Sequence, residues 1–306
     1  MSEQQHENTP VTVIGLGSMG SARAPDSRPP APPPPGGNPP PARPAPLRAR
    51  GATVAATPAA AVAAGRLVVT CLTTFDATRE ALDPATAELR GRTLVTLNSG
   101  APDQARETAE WAAGHGARFL AGAVLDVPSA VGAPGTLLTY GGDRAAFDDA
   151  VPALRALGGE TVHLGDEPDL AALYEMAVGA TLLPALVGFF QGAAALQARG
   201  RTAASMVGFT GRLLDMTKEL LPVFADEIDR GDYGAGESSV NLFLAGTAHD
   251  AALEAETGVD TAWLAPLHDL VRRAAEAGHG EDSIAALTEV LRKPTERPYP
   301  STSPTS

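Results

Sequence analysis

The chain has 306 residues, about twice a typical domain length, and 44% of them are hydrophobic. This length and composition support one large or two ordinary folded domains and argue against a disordered protein. A net charge of −13 would repel the phosphate backbone of a nucleic acid, so we expect no nucleic-acid partner.

The cysteine content and the apolar runs point to a cell compartment. A single cysteine, Cys71, excludes an internal disulfide framework and suits a reducing environment. The N-terminus carries no export pattern. The longest uncharged apolar run with a helical pattern, residues 177–190, is too short to span a bilayer and contains Pro184. We therefore expect a cytoplasmic protein with no membrane partner.

A glycine-rich turn follows the first predicted strand. Residues 11–14 are mostly β-branched, which indicates a buried parallel strand, and they lead directly into a G-x-G-x-x-G pattern. In such a turn Gly15 permits the tight bend, Gly17 lets the backbone approach a pyrophosphate, and Gly20 allows close helix packing. The position of the pattern directly after a strand predicts dinucleotide binding.

The next segment, residues 23–46, breaks the pattern. Twelve of its 24 residues are proline, which excludes a regular helix or a central strand. An NAD enzyme would carry an acid about 20 residues beyond the glycine turn to hold the ribose 2′-hydroxyl. Position 38 is asparagine, and no acid lies between Ser27 and Asp76, which favours NADP over NAD.

Strands and helices alternate up to residue 165, and only helical patterns follow. Strands are predicted at 11–14, 67–72, 93–97, 117–125, 135–141 and 161–164. This alternation predicts a mostly parallel sheet covered by helices, that is, an α/β Rossmann-type domain. We predict that domain over 1–165, a long interdomain helix over 166–199 with a kink at Pro184, an all-helical domain over 200–293, and a disordered tail over 294–306.

Five segments together resemble the NADPH-dependent imine reductases, which are related to β-hydroxyacid and 6-phosphogluconate dehydrogenases. They read VTVIGLGSMGSA, LVVTCLTTFDA, GRTLVTLNSGAP, GAVLDVPSAVGAPGTLLTYGG and LAALYEMA. The resemblance covers about 11–22 and 47–292. It implies reduction of a cyclic imine to an amine by hydride transfer from NADPH. It also implies a domain-swapped homodimer, in which the helical domain serves dimerisation and each active site lies between one Rossmann domain and the partner's helical domain.

The resemblance assigns cofactor-binding positions residue by residue. The glycine turn matches the phosphate side, the end of the second readable strand matches the adenosine and ribose side, and the end of the next strand matches the nicotinamide side. These positions are Gly15, Leu16, Gly17, Ser18, Met19 and Gly20 in the turn, then Leu72 and Thr73, then Asn98 and Ser99.

Segment 23–46 departs from the family. Asn38 falls where the family has the asparagine of an Asn-Arg-Thr or Asn-Arg-Ser signature, so it remains a cofactor-binding candidate. Pro39 and Pro40 replace the two residues expected to hold the 2′-phosphate. Two interpretations stay open: a reading-frame error in GC-rich DNA that is corrected near Leu47, or a genuine proline-rich insert.

Glu175 is the candidate catalytic residue. It matches a position where one subgroup of the family carries an aspartate implicated as proton donor. An iminium ion is cationic, so one nearby carboxyl group can stabilise it or deliver a proton to nitrogen. β-Hydroxyacid dehydrogenases instead need a lysine on this helix, and the only lysines are Lys218 and Lys293.

Three alternatives remain open. One is a β-hydroxyacid dehydrogenase-like enzyme, the second is a degenerate, non-catalytic NADP-binding relative, and the third is that Glu175 is an ordinary solvated carboxylate. No cluster of His, Cys, Asp or Glu has the spacing of metal ligands, so no metal is expected.

Overall fold

A computed structural model describes residues 11–15, 53, 55–126, 130–234 and 238–292. The chain divides into two compact units between Thr181 and Leu182. The first unit contains a sheet with helices, and the described part of the second is helical, which confirms the predicted fold class. The predictions for 16–20, for 23–46 with Asn38, and for the tail over 294–306 lie outside the described residues.

The six strands of the first unit form one sheet in the order β1-β2-β3-β4-β5-β6. Neighbouring strands from β1 to β4 are parallel, β5 runs antiparallel to β4, and β6 is parallel to β5. The sheet is therefore dominated by parallel pairs, as predicted. The strands are β1 Val11–Ile14, β2 Leu67–Thr70, β3 Thr93–Thr96, β4 Arg118–Val124, β5 Leu137–Gly142 and β6 Glu160–Gly165.

Five helices accompany this sheet, and apolar side chains are buried in two separate clusters. Because successive side chains of a strand alternate, Val68 and Leu94 join one cluster while Val69 and Val95 join the other. Strands β2 and β3 are buried along their whole length, as their apolar character predicts. The helices are α1 Pro58–Ala64, α2 Phe75–Leu82, α3 Pro102–Gly114, α4 Arg144–Leu154 and α5 Leu170–Gly179.

Strand β1 departs from the sequence prediction. It pairs with β2 in parallel as predicted, and Thr12 is buried with its hydroxyl donating to the Ala61 carbonyl oxygen at 2.7 Å. Val11 and Val13, however, are 44% and 45% exposed. The predicted burial is wrong for these two side chains because, among the described strands, β1 lies at the sheet edge and only Thr12 points into packed structure.

The stretch predicted as one long kinked helix consists of two helices. Helix α5 ends at Gly179 and α6 spans Leu182–Ala198, so the division falls at Ala180 and Thr181 and not at Pro184. Proline lacks an N–H and is tolerated in the first turn of a helix, where that donor has no partner in any case. Pro184 therefore lies in the first turn of α6.

One stretch, Leu170–Ala198, is long and apolar enough to cross a membrane by length and composition alone. Its most apolar window of 18 residues has a mean hydropathy of 1.7, and only 11% of that window is buried. This is a longer apolar stretch than the sequence analysis isolated, because it includes all of α5.

The described part of the second unit is built from helices and has a small buried cluster of Tyr233, Val240, Ala274, Ala285 and Ala286. Its elements are α6, α7 Val207–Arg230, α8 Val240–Gly246, α9 Ala248–Thr257, α10 Ala265–Ala274 and α11 Leu287–Leu291.

An apolar stripe lies on α7. It consists of Phe209, Leu213, Met216, Leu220 and Val223, which recur every three or four residues and therefore share one face of the helix. Their side chains are 36 to 77% exposed. An exposed apolar face of this size on a helix indicates an interaction surface.

In the first unit, Arg92 satisfies the carboxyl end of α1. Its Nε donates to the carbonyl oxygens of Val62 at 2.7 Å and Gly65 at 2.9 Å, and Nη2 donates to that of Ala63 at 3.0 Å. Its Nη1 donates to the carbonyl oxygen of Glu88. The last carbonyls of a helix have no partner within the helix, and this guanidinium supplies donors to two of them and to the C-cap residue Gly65.

Replacing Arg92 by methionine should therefore lower the stability of the first unit. We expect Arg92→Met to reduce the free energy of unfolding by about 1–3 kcal/mol, because buried carbonyl oxygens lose charged donors. Guanidinium titration followed by circular dichroism measures this. Arg66→Met is the control, since the Arg66 side chain is exposed and makes no hydrogen bond among the described residues. An equal loss in both variants would contradict the prediction.

Candidate active site at the carboxyl edge of the sheet

The carboxyl ends of β1, β2 and β3 lie side by side. Parallel pairing aligns Ile14 with Thr70 and Thr70 with Thr96. The residues that follow each strand therefore reach the same edge of the sheet, which is where open α/β sheets bind ligands. This edge brings together the predicted site residues Gly15, Leu72, Thr73, Asn98 and Ser99.

Gly15 makes the closest backbone approach at this edge. Its φ is +93°, and a Cβ added there would lie 2.5 Å from the Cys71 carbonyl oxygen and 2.7 Å from Cδ2 of Leu72. The Cys71 N–H donates to the Ile14 carbonyl oxygen at 2.8 Å, which holds the two strand ends together. Only glycine fits this position without displacing β1 from β2.

Asn98 lies two residues beyond the end of β3 and is buried, with 6% of its surface exposed. The Thr78 hydroxyl on α2 donates to Asn98 Oδ1 at 3.3 Å. Asn98 Nδ2 is buried and has no hydrogen-bond partner in the described structure. Buried polar groups in folded proteins nearly always have a partner, so this donor indicates a missing acceptor.

Glu175 lies on α5 and reaches the end of β3. Its Oε1 accepts a hydrogen bond from the Ser99 hydroxyl at 2.6 Å. The start of α5 is fixed by the buried Ala171 and by an ion pair between Asp169 and Arg106 of α3. The structure thus brings two predicted site residues into direct contact. Their separation of 76 positions explains why no local sequence pattern predicts the contact.

Two other side chains carry ionisable groups, the thiol of Cys71 and the phenol of Tyr174. Burial raises the pKa of the Cys71 thiol, so it is held protonated and unreactive. Tyr174 is 47% exposed and makes no hydrogen bond among the described residues. Leu16, Gly17, Ser18, Met19, Gly20 and Asn38 lie outside the described residues.

The second unit has concave surfaces of its own, and no predicted site residue lines them. One is an apolar groove of about 470 Å³ that includes a 2.9 Å ion pair between His268 and Asp250. The other is a polar cavity in which the Tyr233 hydroxyl donates to Glu289 Oε1 at 2.5 Å. Burial and the Glu289 carboxylate raise the pKa of Tyr233, and the hydrogen bond from Tyr233 lowers the pKa of Glu289.

Among the described residues, no group of three or more His, Cys, Asp or Glu side chains is placed to hold a metal ion. The parallel sheet, the glycine at the end of β1 and the polar residues after β3 define a dinucleotide-dependent oxidoreductase of the Rossmann class.

Comparison with known proteins narrows this class. Residues 10–165 match the model of the NAD-binding domain of 6-phosphogluconate dehydrogenase, and residues 167–293 match the model of the NADPH-dependent reductive aminase-like C-terminal domain. An NADPH-dependent reductive aminase from Aspergillus oryzae is 28% identical over 285 residues, covering 92% of this chain and 97% of that protein.

Solved structures agree in fold over nearly the whole chain. The imine reductase of Streptomyces aurantiacus has a TM-score of 0.82 and 32% identity, covering 92% of this chain and 99% of that one. A reductive aminase from Aspergillus terreus, solved with NADPH4, cyclohexanone and allyl amine, has a TM-score of 0.80 and 29% identity, covering 93% and 99%. The chain belongs to the family of NADPH-dependent imine reductases and reductive aminases.

The residues present at the edge fit NADPH, the cofactor of this family. Gly15 lets the end of β1 lie against the Cys71 carbonyl, which no residue with a Cβ could do, so the backbone turns at the edge where a dinucleotide binds in this fold. The unpartnered Nδ2 of Asn98 supplies a buried hydrogen-bond donor at the same edge.

Gly15→Ala should therefore weaken NADPH binding about ten-fold or more. The added Cβ forces a residue into the left-handed region at about 1–2 kcal/mol and collides with the Cys71 carbonyl, so the end of β1 must move. Titration of NADPH fluorescence measures the Kd. Gly114→Ala is the control because a Cβ there meets nothing within 4 Å. An unchanged Kd in Gly15→Ala would contradict the assignment of this edge to the cofactor.

Proposed function

We propose that this protein reduces a cyclic imine to the corresponding amine with NADPH, and oxidises the amine in the reverse direction. The observation that carries the proposal is the contact between Ser99 and Glu175 at the carboxyl edge of the sheet. When bound, NADPH supplies the hydride, so the protein's own residues must bind, orient and handle the proton on nitrogen.

Glu175 is the proposed catalytic residue. Reduction of a neutral imine requires a proton on nitrogen, and a carboxyl group positioned beside the substrate can supply it or stabilise the iminium cation. The Ser99 hydroxyl holds Oε1, while Oε2 has no partner in the described part of the chain and is available to the substrate. The hydrogen bond also fixes the carboxyl group in one orientation relative to the end of β3.

The same geometry argues against a β-hydroxyacid dehydrogenase. That reaction uses a lysine to polarise an alcohol or carbonyl oxygen, and neither α5 nor α6 contains a lysine. A hydroxy acid also carries a carboxylate, and a carboxyl group at this position offers it no cation to pair with. The nitrogen of an imine can accept a proton from this carboxyl group or, once protonated, be stabilised by it.

The relatives support a C=N substrate. The Aspergillus terreus reductive aminase was solved with cyclohexanone and allyl amine, a ketone and an amine that can condense to an imine. We extend this substrate class to the present chain. The proposed cofactor contacts are Gly15, Leu16, Gly17, Ser18, Met19, Gly20, Asn38, Leu72, Thr73, Asn98 and Ser99.

The second candidate function is that of a degenerate, non-catalytic NADP-binding relative, and one specific observation favours it. Pro39 and Pro40 stand where the family holds the 2′-phosphate of NADPH. A chain that folds but binds no NADPH in the fluorescence titration would favour this second function.

We expect Glu175→Gln to lower the rate on a neutral cyclic imine, such as a pyrroline, by about 10²–10⁴-fold. Glutamine has nearly the same shape as glutamate but has no acidic proton to deliver. The Kd of NADPH should hardly change. A preformed iminium salt needs no protonation and should lose much less rate. NADPH oxidation at 340 nm measures both rates.

The control for this experiment is Glu110→Gln, since Glu110 is an exposed carboxylate on α3. Equal rates for the parent and Glu175→Gln on the neutral imine at neutral pH would remove Glu175 from the mechanism. The proton would then have to come from Tyr174 or from water.

A homodimer is the proposed assembly. The apolar stripe on α7 is exposed, and so are Leu182, Leu183 and Phe190 on α6. Soluble monomers rarely expose apolar patches of this size, and a second copy would bury them in a mostly helical interface. Burial in a dimer interface would also explain why the stretch Leu170–Ala198 is apolar, so this stretch does not require a membrane.

Phe209→Glu should convert such a dimer to monomer, because a charge would replace the most exposed apolar side chain of the stripe. Size-exclusion chromatography with light scattering measures the mass. Lys218→Glu is the matched control on α7, since Lys218 lies on the side of the helix opposite Phe209. A monomeric parent, or a Phe209→Glu dimer as stable as the parent, would contradict the proposed interface.

We further propose a cytoplasmic location and the functional division stated above: a nucleotide-binding domain over 1–165, an interdomain segment over 166–199 and a helical domain over 200–293. The family matches over 10–165 and 167–293 support that division.

A further inference from the structure

We infer that Thr78 is a positioning residue for NADPH: its hydroxyl orients the Asn98 side chain so that Nδ2 is presented as a hydrogen-bond donor to an oxygen of the bound dinucleotide. The inference deepens the proposed function and rests on it. It starts from two buried side chains, Thr78 on α2 and Asn98 after β3, that touch each other.

In this structure the hydrogen bond engages the oxygen end of the Asn98 amide. A side-chain amide has an oxygen that accepts and a nitrogen that donates, and the two orientations have nearly the same shape. The Thr78 hydroxyl donates to Asn98 Oδ1 at 3.3 Å, which places the oxygen toward α2. The nitrogen is then the end that remains without a partner among the described residues.

Burying an unpartnered N–H group costs free energy unless a bound ligand accepts a hydrogen bond from it. Thr78 is fully buried and Asn98 is 6% exposed, so bulk water does not satisfy the free N–H groups. An apolar residue of similar shape would avoid the desolvation cost. A polar residue that stays unsatisfied in the ligand-free protein is a common feature of binding sites.

The position of Asn98 indicates which part of the dinucleotide its N–H groups contact. Asn98 precedes Ser99, whose hydroxyl contacts Glu175, and lies at the same sheet edge as Gly15. Asn98 Nδ2 therefore lies at the same sheet edge as Glu175, the residue proposed to protonate the substrate. The nicotinamide half of a dinucleotide, which carries the hydride, must bind at this edge as well. Ribose hydroxyls and the carboxamide oxygen of that half are acceptors for such a donor.

A double-mutant cycle on NADPH affinity in the full chain tests the inference. We expect Thr78→Val, which keeps the shape and loses the hydroxyl, to raise the Kd of NADPH about ten-fold. Thr78→Ser should restore it. Asn98→Ala should weaken binding by at least as much, and Thr78→Val should add no further loss in the Asn98→Ala background, because Thr78 acts only through Asn98.

Thr108→Val is the matched control. Thr108 is also fully buried on a helix, and its hydroxyl donates to the Gln104 carbonyl oxygen at 2.8 Å. Removing it should affect guanidinium unfolding of the ligand-free protein as Thr78→Val does, but leave the Kd of NADPH unchanged. A merely structural role for Thr78 predicts the same result for both variants.

The outcomes separate the two proposals. An unchanged Kd in Thr78→Val, or a loss that persists in the Asn98→Ala background, overturns the inference while leaving the proposed function standing. A folded parent that binds no NADPH overturns both. Thr78→Val that weakens binding only when Asn98 is present, with Thr108→Val binding as the parent does, establishes the positioning role.

Discussion

The candidate site depends on the parallel pairing of β1, β2 and β3 in one register. This pairing brings three strand ends to a single edge, and the fit between Gly15 and the Cys71 carbonyl keeps the first two in contact. A side chain at Gly15 would separate them, whereas substitutions elsewhere in the turn need not. The requirement for glycine is therefore a packing requirement of the sheet as well as a requirement of the ligand.

The two polar residues at this edge, Asn98 and Ser99, contact two different helices. Asn98 is held by Thr78 of α2, and Ser99 holds Glu175 of α5. One contact is buried and leaves a donor free, while the other is exposed and leaves a carboxylate oxygen free. The proposed cofactor contact and the proposed proton donor are thus attached to neighbouring positions beyond one strand end, which would hold them in a fixed relation to each other.

Much of the fold could be predicted from local pattern. All six strands and the alternation with helices follow from apolar periodicity and β-branched runs, as at residues 67–70 and 93–96. The need for glycine at position 15 could be predicted because its physical reason, close approach at the end of β1, is local. The antiparallel direction of β5 was not predicted, since strand direction depends on pairing and leaves no mark on composition.

Other features depend on contacts distant in sequence and could not be predicted. The exposure of Val11 and Val13 reflects the position of β1 at the edge of the described sheet, which the residues themselves do not encode. The Thr78–Asn98 and Ser99–Glu175 contacts join residues on separate elements. The resemblance to a family supplied Glu175, and the structure supplied the hydrogen bond that orients it.

The edge position of β1 has a consequence for local order. A strand held by one ladder of hydrogen bonds exchanges its amide protons through smaller openings than strands held on both sides. Among the described strands, β1 is one of two edge strands, and Gly15 directly follows it, whereas Asn98 lies beyond β3, which is buried along its whole length. A dinucleotide that contacts both Gly15 and Asn98 would connect the edge strand β1 to the buried strand β3. Binding of the dinucleotide would therefore slow hydrogen exchange along β1 more than along the other strands of the sheet.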